Sequence, residues 1–174
     1  VNFRVINAFI PIFWTRELGT SPEQGSFALT VFFSIGIFMT YIGGLLGDKF
    51  GPIKIIRLSL LVWLPAMFLL TEVPNFSPVI MLPVGYLLLL MIGAAKAISY
   101  SPVIVLGQTY LAKSIGFASG ITLGVSQTIG GVIAPVVGNL ADTYSLPVAM
   151  MTLVPFLVVG LGASLILKDP KKLQ

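Results

Sequence analysis

The sequence predicts an all-α integral membrane protein whose six transmembrane helices form two inverted three-helix repeats. Three observations carry that prediction. Hydrophobic residues make up 56% of the chain and charged ones only 9%, whereas a soluble domain carries about a quarter of charged residues. Long apolar runs recur between short polar segments, and at about 20 residues per span the 174 residues hold six. Finally, Gly43-Gly44-Leu45-Leu46-Gly47-Asp48, which closes one apolar run, is echoed by Gly138-Asn139-Leu140-Ala141-Asp142 at the end of a later one. If spans one to three and four to six are equivalent units, the odd number of helices in each forces the second to be inverted.

The first span is read over 1–18, already apolar by Val5, without the charged start and small-residue cleavage site of a signal peptide. The chain therefore reads as the later part of a longer protein whose N-terminal half precedes Val1. After Gly19-Thr20-Ser21-Pro22, where Ser21 is placed to cap a helix and Pro22 to open it, the second span covers 24–47. Lys49-Phe50-Gly51-Pro52 makes the turn to a third span over 53–70, which ends at the polar, proline-containing stretch Glu72 to Pro78. The fourth is the longest, 79–110, with Pro83 and Pro102 each removing a backbone donor. Lys113-Ser114 separates it from a fifth over 115–140, and a sixth follows over 146–167 before a basic tail.

Alternating loops put Lys49, Lys54, Arg57, Lys113, Lys168, Lys171 and Lys172 on one side and only Arg16 on the other. By the positive-inside rule the first side, with the C-terminus, is cytoplasmic. The formal charge of +4 lies in these loops and ends, so it speaks for topology and gives no support to nucleic-acid binding. Cysteine and histidine are both absent from the sequence, which removes thiolate chemistry, the usual metal ligands and any Ser-His-Asp or Cys-His arrangement. No enzyme, cofactor or metal site is expected.

The segment Gly44-Leu45-Leu46-Gly47-Asp48-Lys49-Phe50-Gly51 resembles the Gly-x-Leu-Ala-Asp-Arg/Lys-x-Gly loop motif of the major facilitator superfamily, in its copy between the eighth and ninth helices. Ser101-Pro102-Val103-Ile104-Val105-Leu106-Gly107-Gln108, with Ile115 to Gly124 and Gly130-Gly131, is similar to the tenth and eleventh helices of fosmidomycin-resistance-type exporters in that superfamily. The resemblance covers almost the whole chain, as helices seven to twelve of a twelve-helix fold. It implies a secondary transporter in a bacterial or archaeal cell membrane, exporting a small molecule by alternating access, coupled to protons. It also implies a gating role for Gly44, Asp48, Lys49 and Gly51, with Asp142 in the inverted copy. Where the family motif continues with two basic residues, this chain has Pro52-Ile53, so the basic side of the loop is thinner. A half-size transporter acting as a homodimer and a non-transporting scaffold are the alternative readings.

Lys96 is the residue least compatible with a purely structural helix. It stands well inside the fourth span, where a lysine costs about 2.5–3.5 kcal/mol on insertion scales, and Ser99 and Tyr100 share its face one turn on. That polar stripe predicts a water-filled substrate cavity, to which Arg4 and Asn7 of the first span and Gln127 of the fifth are candidate contributors. All six acids lie at helix ends or in loops, so either the cavity favours an anionic or zwitterionic substrate or carboxylates of the N-terminal half are the partners of Lys96 and Arg4. Gly116, Gly120, Gly124 and Gly131 form a small-residue stripe predicted to let the fifth span pack closely on a neighbour.

Overall fold

The computed structural model describes residues 2–167, with side chains from Val5 onward. Arg4's side chain and the expected cytoplasmic lysines Lys168, Lys171 and Lys172 lie outside the described residues. The described chain is built of seven α-helices: α1 (Asn2–Arg16), α2 (Pro22–Phe50), α3 (Pro52–Glu72), α4 (Pro78–Tyr110), α5 (Ile115–Thr143), α6 (Leu146–Met151) and α7 (Val154–Ile166). Short 3-10 turns at Val73–Asn75 and Ala112–Ser114 make two of the connections.

Local chemistry sets most of these boundaries. The Ser21 hydroxyl accepts from the Gln24 N–H at 3.4 Å and Pro22 opens α2, which satisfies one orphan donor and uses a residue that has none to offer. At the other end Gly51 adopts φ +93° between α2 and α3, a conformation that glycine alone takes without strain. Helix α2 therefore continues three residues past the expected end at Gly47, because no breaker precedes Gly51, and Asp48 and Lys49 lie in its last turn.

Two spans differ in detail from the expectation. The sixth span is interrupted: α6 ends at Met151 and α7 begins at Val154. Pro155 has no N–H to give the Met151 carbonyl, and the chain bridges the gap with tight bonds from Thr152 and Leu153 N–H to the Ala149 and Met150 carbonyls at 3.2 and 3.1 Å. Among the described residues, five segments are long and apolar enough to cross a membrane: Pro22–Phe50, Pro52–Asn75, Pro78–Tyr110, Ala112–Thr143 and Leu146–Ile166. The first expected span, 1–18, is described as α1 over 15 residues.

Helix α1 sits in the core. Val5, Ile6, Phe9, Ile10, Phe13 and Trp14 are all buried, in one cluster with Trp63, Met67 and Leu70 of α3, Leu88, Leu89 and Ile92 of α4 and Met150 of α6. Around it, α2 packs most extensively on α4, and α5 packs on α1, α4 and α6. The α2–α4 seam is closed by glycine. A methyl group at Gly43 would collide with the Ile98 backbone, and one at Gly93 would stand 3.0 Å from the Phe32 carbonyl oxygen.

The glycine stripe of α5 does not behave in that way. A methyl group at Gly116, Gly120, Gly124 or Gly131 would meet nothing within 4 Å, so the expected close packing through these residues is absent within the described chain. The stripe lies on a face turned away from α1, α4 and α6, and residues 123–129 are exposed along its length.

Candidate functional site

Helix α4 runs without interruption for 33 residues through both prolines and carries Lys96 near its middle. The Lys96 side chain is half-buried, and its ammonium lies 5.6 Å from the ring centroid of Tyr100, one turn further along. A cation in that position is attracted by the ring quadrupole, most strongly where water is scarce. Tyr100 itself is 45% exposed, so the pair stands at an open margin of the bundle.

Ser99 does not join them as a donor. Its hydroxyl bonds back to the Lys96 carbonyl at 2.9 Å, the usual choice of a serine in a helix that offers no better acceptor. The expected three-residue polar stripe is thus a Lys–Tyr pair beside a serine turned into its own backbone. On α1, Asn7 is half-buried and its Oδ1 is a buried acceptor without a hydrogen-bond partner. Gln127 is exposed on α5, on the same helical stripe as Gly116, Gly120, Gly124 and Gly131.

Further toward the C-terminal end of α4, Gln108 Nε2 donates to Ser119 Oγ at 2.9 Å. There Thr122 fills the space beside Gly107, its Oγ1 lying 2.7 Å from where a glycine methyl would stand. This polar seam is where α5 crosses α4. Lys96, Tyr100 and Gly107 fall on one face of α4, since eleven residues make about three turns. The Lys96 face is therefore the one that looks toward α5.

The two glycine-acid segments hold different positions. Gly44 and Gly47 rest on α4: methyl groups there would come within 3.4 Å of Ser101 Oγ and 3.1 Å of Pro102 Cγ. Asp48 and Lys49 are exposed beyond them, and the Lys49 ammonium lies 5.3 Å from the Phe50 ring centroid. Asp142 is 3.6 Å from Arg16 in an ion pair whose side chains are 77% and 64% exposed, linking the ends of α5 and α1.

Sequence reasoning missed Arg57, counted only as a topological charge. Its Nε and Nη2 donate to the Ser164 carbonyl at 2.9 and 2.6 Å, and Nη2 reaches the Leu165 and Leu167 carbonyls at 3.3 Å. The guanidinium thereby satisfies carbonyls that the end of α7 leaves without intrahelical donors. The signal was available: α7 ends without a glycine to close it, so its carbonyls need a donor from elsewhere. The contact also puts the start of α3 and the end of α7 on the same side of the bundle, as the loop charges predicted.

Comparison with known proteins completes the picture. The family model for the Major Facilitator Superfamily matches residues 1–174. The chain belongs to that superfamily. Its relatives within the Major Facilitator Superfamily include the Bacillus subtilis (strain 168) protein "Uncharacterized MFS-type transporter YfnC", 32% identical over 151 residues, 87% of this chain and 35% of the relative. The "Fosmidomycin resistance protein" of Escherichia coli (strain K12) is 29% identical over 142 residues, 81% of this chain and 33% of that protein. No solved structure matches the chain significantly. This superfamily chain thus spans about a third of the length of the curated relatives it matches.

Proposed function

We propose that the protein containing this chain is a secondary transporter that exports a small anionic molecule across a cell membrane by alternating access, coupled to protons. Its helices form the C-terminal bundle, and the remainder of the protein supplies a second bundle that covers the open face of α5. The match to transporters about three times as long supports that arrangement, as does the small-residue face of α5, which meets no neighbour among the described residues. The Escherichia coli relative is named for resistance to fosmidomycin, and export of a small molecule is one way in which a transporter confers resistance. An N-terminal bundle is also where the proton-coupling carboxylates belong in this reading, because the acids of this chain sit at helix ends and in loops.

One observation carries the substrate class: Lys96, half-buried in the middle of a membrane helix and stacked near Tyr100. An ammonium there acts through a medium of low dielectric, where its attraction for an anion exceeds that in water several-fold. Asp48 and Lys49, at the basic end of the α2–α4 seam, serve as the gate: the seam's glycines let the helices touch backbone to side chain, so a small rotation makes or breaks the contact. The basic end faces the cytoplasm.

The test is transport by the full-length protein in proteoliposomes with Lys96→Gln and Lys96→Ala. Loss of a charge interaction of about 1.5–3 kcal/mol corresponds to a 10- to 150-fold lower rate for anionic substrates, with neutral analogues little changed. Equal rates for anionic and neutral substrates in both variants would remove Lys96 from the site.

A further inference from the structure

The flank of α4 opposite Lys96 carries a second feature. Leu46 of α2, Ile55, Leu58, Ser59 and Val62 of α3, and Met91, Ala94, Ala95 and Ile98 of α4 enclose a groove of about 230 Å³. Nothing polar is offered inside it: the one hydroxyl, on Ser59, donates to the Ile56 carbonyl at 2.8 Å. With Leu58 59% and Met91 39% exposed, the groove opens sideways, toward the surroundings of the bundle. Along α3 it extends about 10 Å, from Ile55 to Val62 at 1.5 Å per residue. A ligand that needs hydrogen bonds gains nothing there, whereas a hydrocarbon chain fits.

The groove ends in positive charge. Lys54 lies one turn before Leu58 on the same stripe of α3, and Lys49 one turn beyond Leu46 on α2; both are exposed. Arg57 is not part of this end, its guanidinium being bonded to the carbonyls of α7. Asp48, two residues from Leu46, falls on the opposite side of α2. Phe50, next to Lys49 and half-exposed, adds an aromatic ring beside the cations, a residue type that favours membrane–water interfaces.

We propose that this groove is a binding site for an anionic phospholipid, one acyl chain lying between α2, α3 and α4 and the headgroup phosphate held by Lys49 and Lys54. Apolar walls, lateral opening and paired cations at one end match the three parts of such a molecule. The inference holds whichever side of the membrane the basic end occupies, and it does not depend on Lys96, which lies on the other face of α4; Lys49 is shared with the proposed gate, so the test reads lipid binding and not transport.

Native mass spectrometry of the purified full-length protein, titrated in detergent with phosphatidylglycerol or with phosphatidylcholine of the same chains, tests it. Each lysine near a headgroup contributes a factor of about 5, so the pair gives a preference for phosphatidylglycerol of up to about 30-fold. Lys49→Gln with Lys54→Gln removes most of that preference, and both positions are exposed, so folding is little affected. Ala94→Phe, which fills the groove, weakens both lipids alike. The proposal fails if the two lipids bind the native protein equally, or if the preference survives the double lysine variant. It fails also if Ala94→Phe abolishes a protein dimer and leaves lipid binding unchanged, which would assign the groove to a second copy.

Discussion

Helices α2 and α5 hold corresponding places in the two repeats, end in related glycine-acid segments and are both rich in glycine, yet their glycines do different things. On α2, Gly43 and Gly47 bring the backbone against Ile98 and Pro102 of α4. On α5, Gly116, Gly120, Gly124 and Gly131 face open space among the described residues, whereas Gly130 is buried and Gly138 approaches α1, where a methyl would lie 3.7 Å from Phe9 Cζ. The acids differ as well, Asp142 being paired with Arg16 of α1 and Asp48 lying exposed at a turn whose glycines abut α4. Small residues at helical spacing therefore record that something comes close; they do not say whether it belongs to the same bundle. In α2 the neighbour is α4, whereas beside Gly116, Gly120, Gly124 and Gly131 of α5 no described residue would meet an added methyl within 4 Å.

Substituting the glycines in turn breaks or sharpens this contrast. Gly43→Ala has the largest effect, since the new methyl meets main-chain atoms of Ile98 that cannot rotate aside. Overpacking of that kind costs about 3 kcal/mol or more and is read as a lowered melting temperature or loss of the folded protein in detergent. Gly107→Ala comes next: the obstacle is the Thr122 hydroxyl, which moves by a change of χ1, so about 1 kcal/mol is expected. Gly120→Ala is the smallest, within about 0.5 kcal/mol for the stability of this bundle. A bulkier Gly120→Leu then separates the two possible neighbours of α5, because it lowers transport by the full-length protein if a second bundle covers the face and leaves it unchanged if lipid does.

How far the sequence reaches can be judged from these same elements. The order of the helices and their loops was legible because hydropathy and end signals agree: Ser21-Pro22 and Gly51-Pro52 each mark a boundary that the structure keeps. The break at Thr152 was not, because a hydropathy average is blind to a missing N–H at Pro155. Lys96 stood out because a charge in an apolar run has no cheap explanation, and it lies half-buried beside Tyr100. Ser99 misled because its type announces a donor, while its hydroxyl is spent on its own helix. Arg57 and the Arg16–Asp142 pair depend on contacts between segments far apart in sequence, α3 with α7 and α1 with α5, which no local pattern encodes.

In this reading the Lys96 face of α4 meets water, while the groove between α2, α3 and α4 on its other side opens at Leu58 to lipid. This contrast is tested most directly by placing single cysteines at Lys96 and at Leu58, in a full-length protein otherwise free of cysteine, and treating membranes with a charged, membrane-impermeant thiol reagent. Only a thiol that can ionise in water reacts readily. The account predicts that Lys96→Cys is modified and protected by a transported anion, while Leu58→Cys is not modified. Modification of Leu58→Cys as fast as Lys96→Cys, or no reaction at Lys96→Cys, would contradict it.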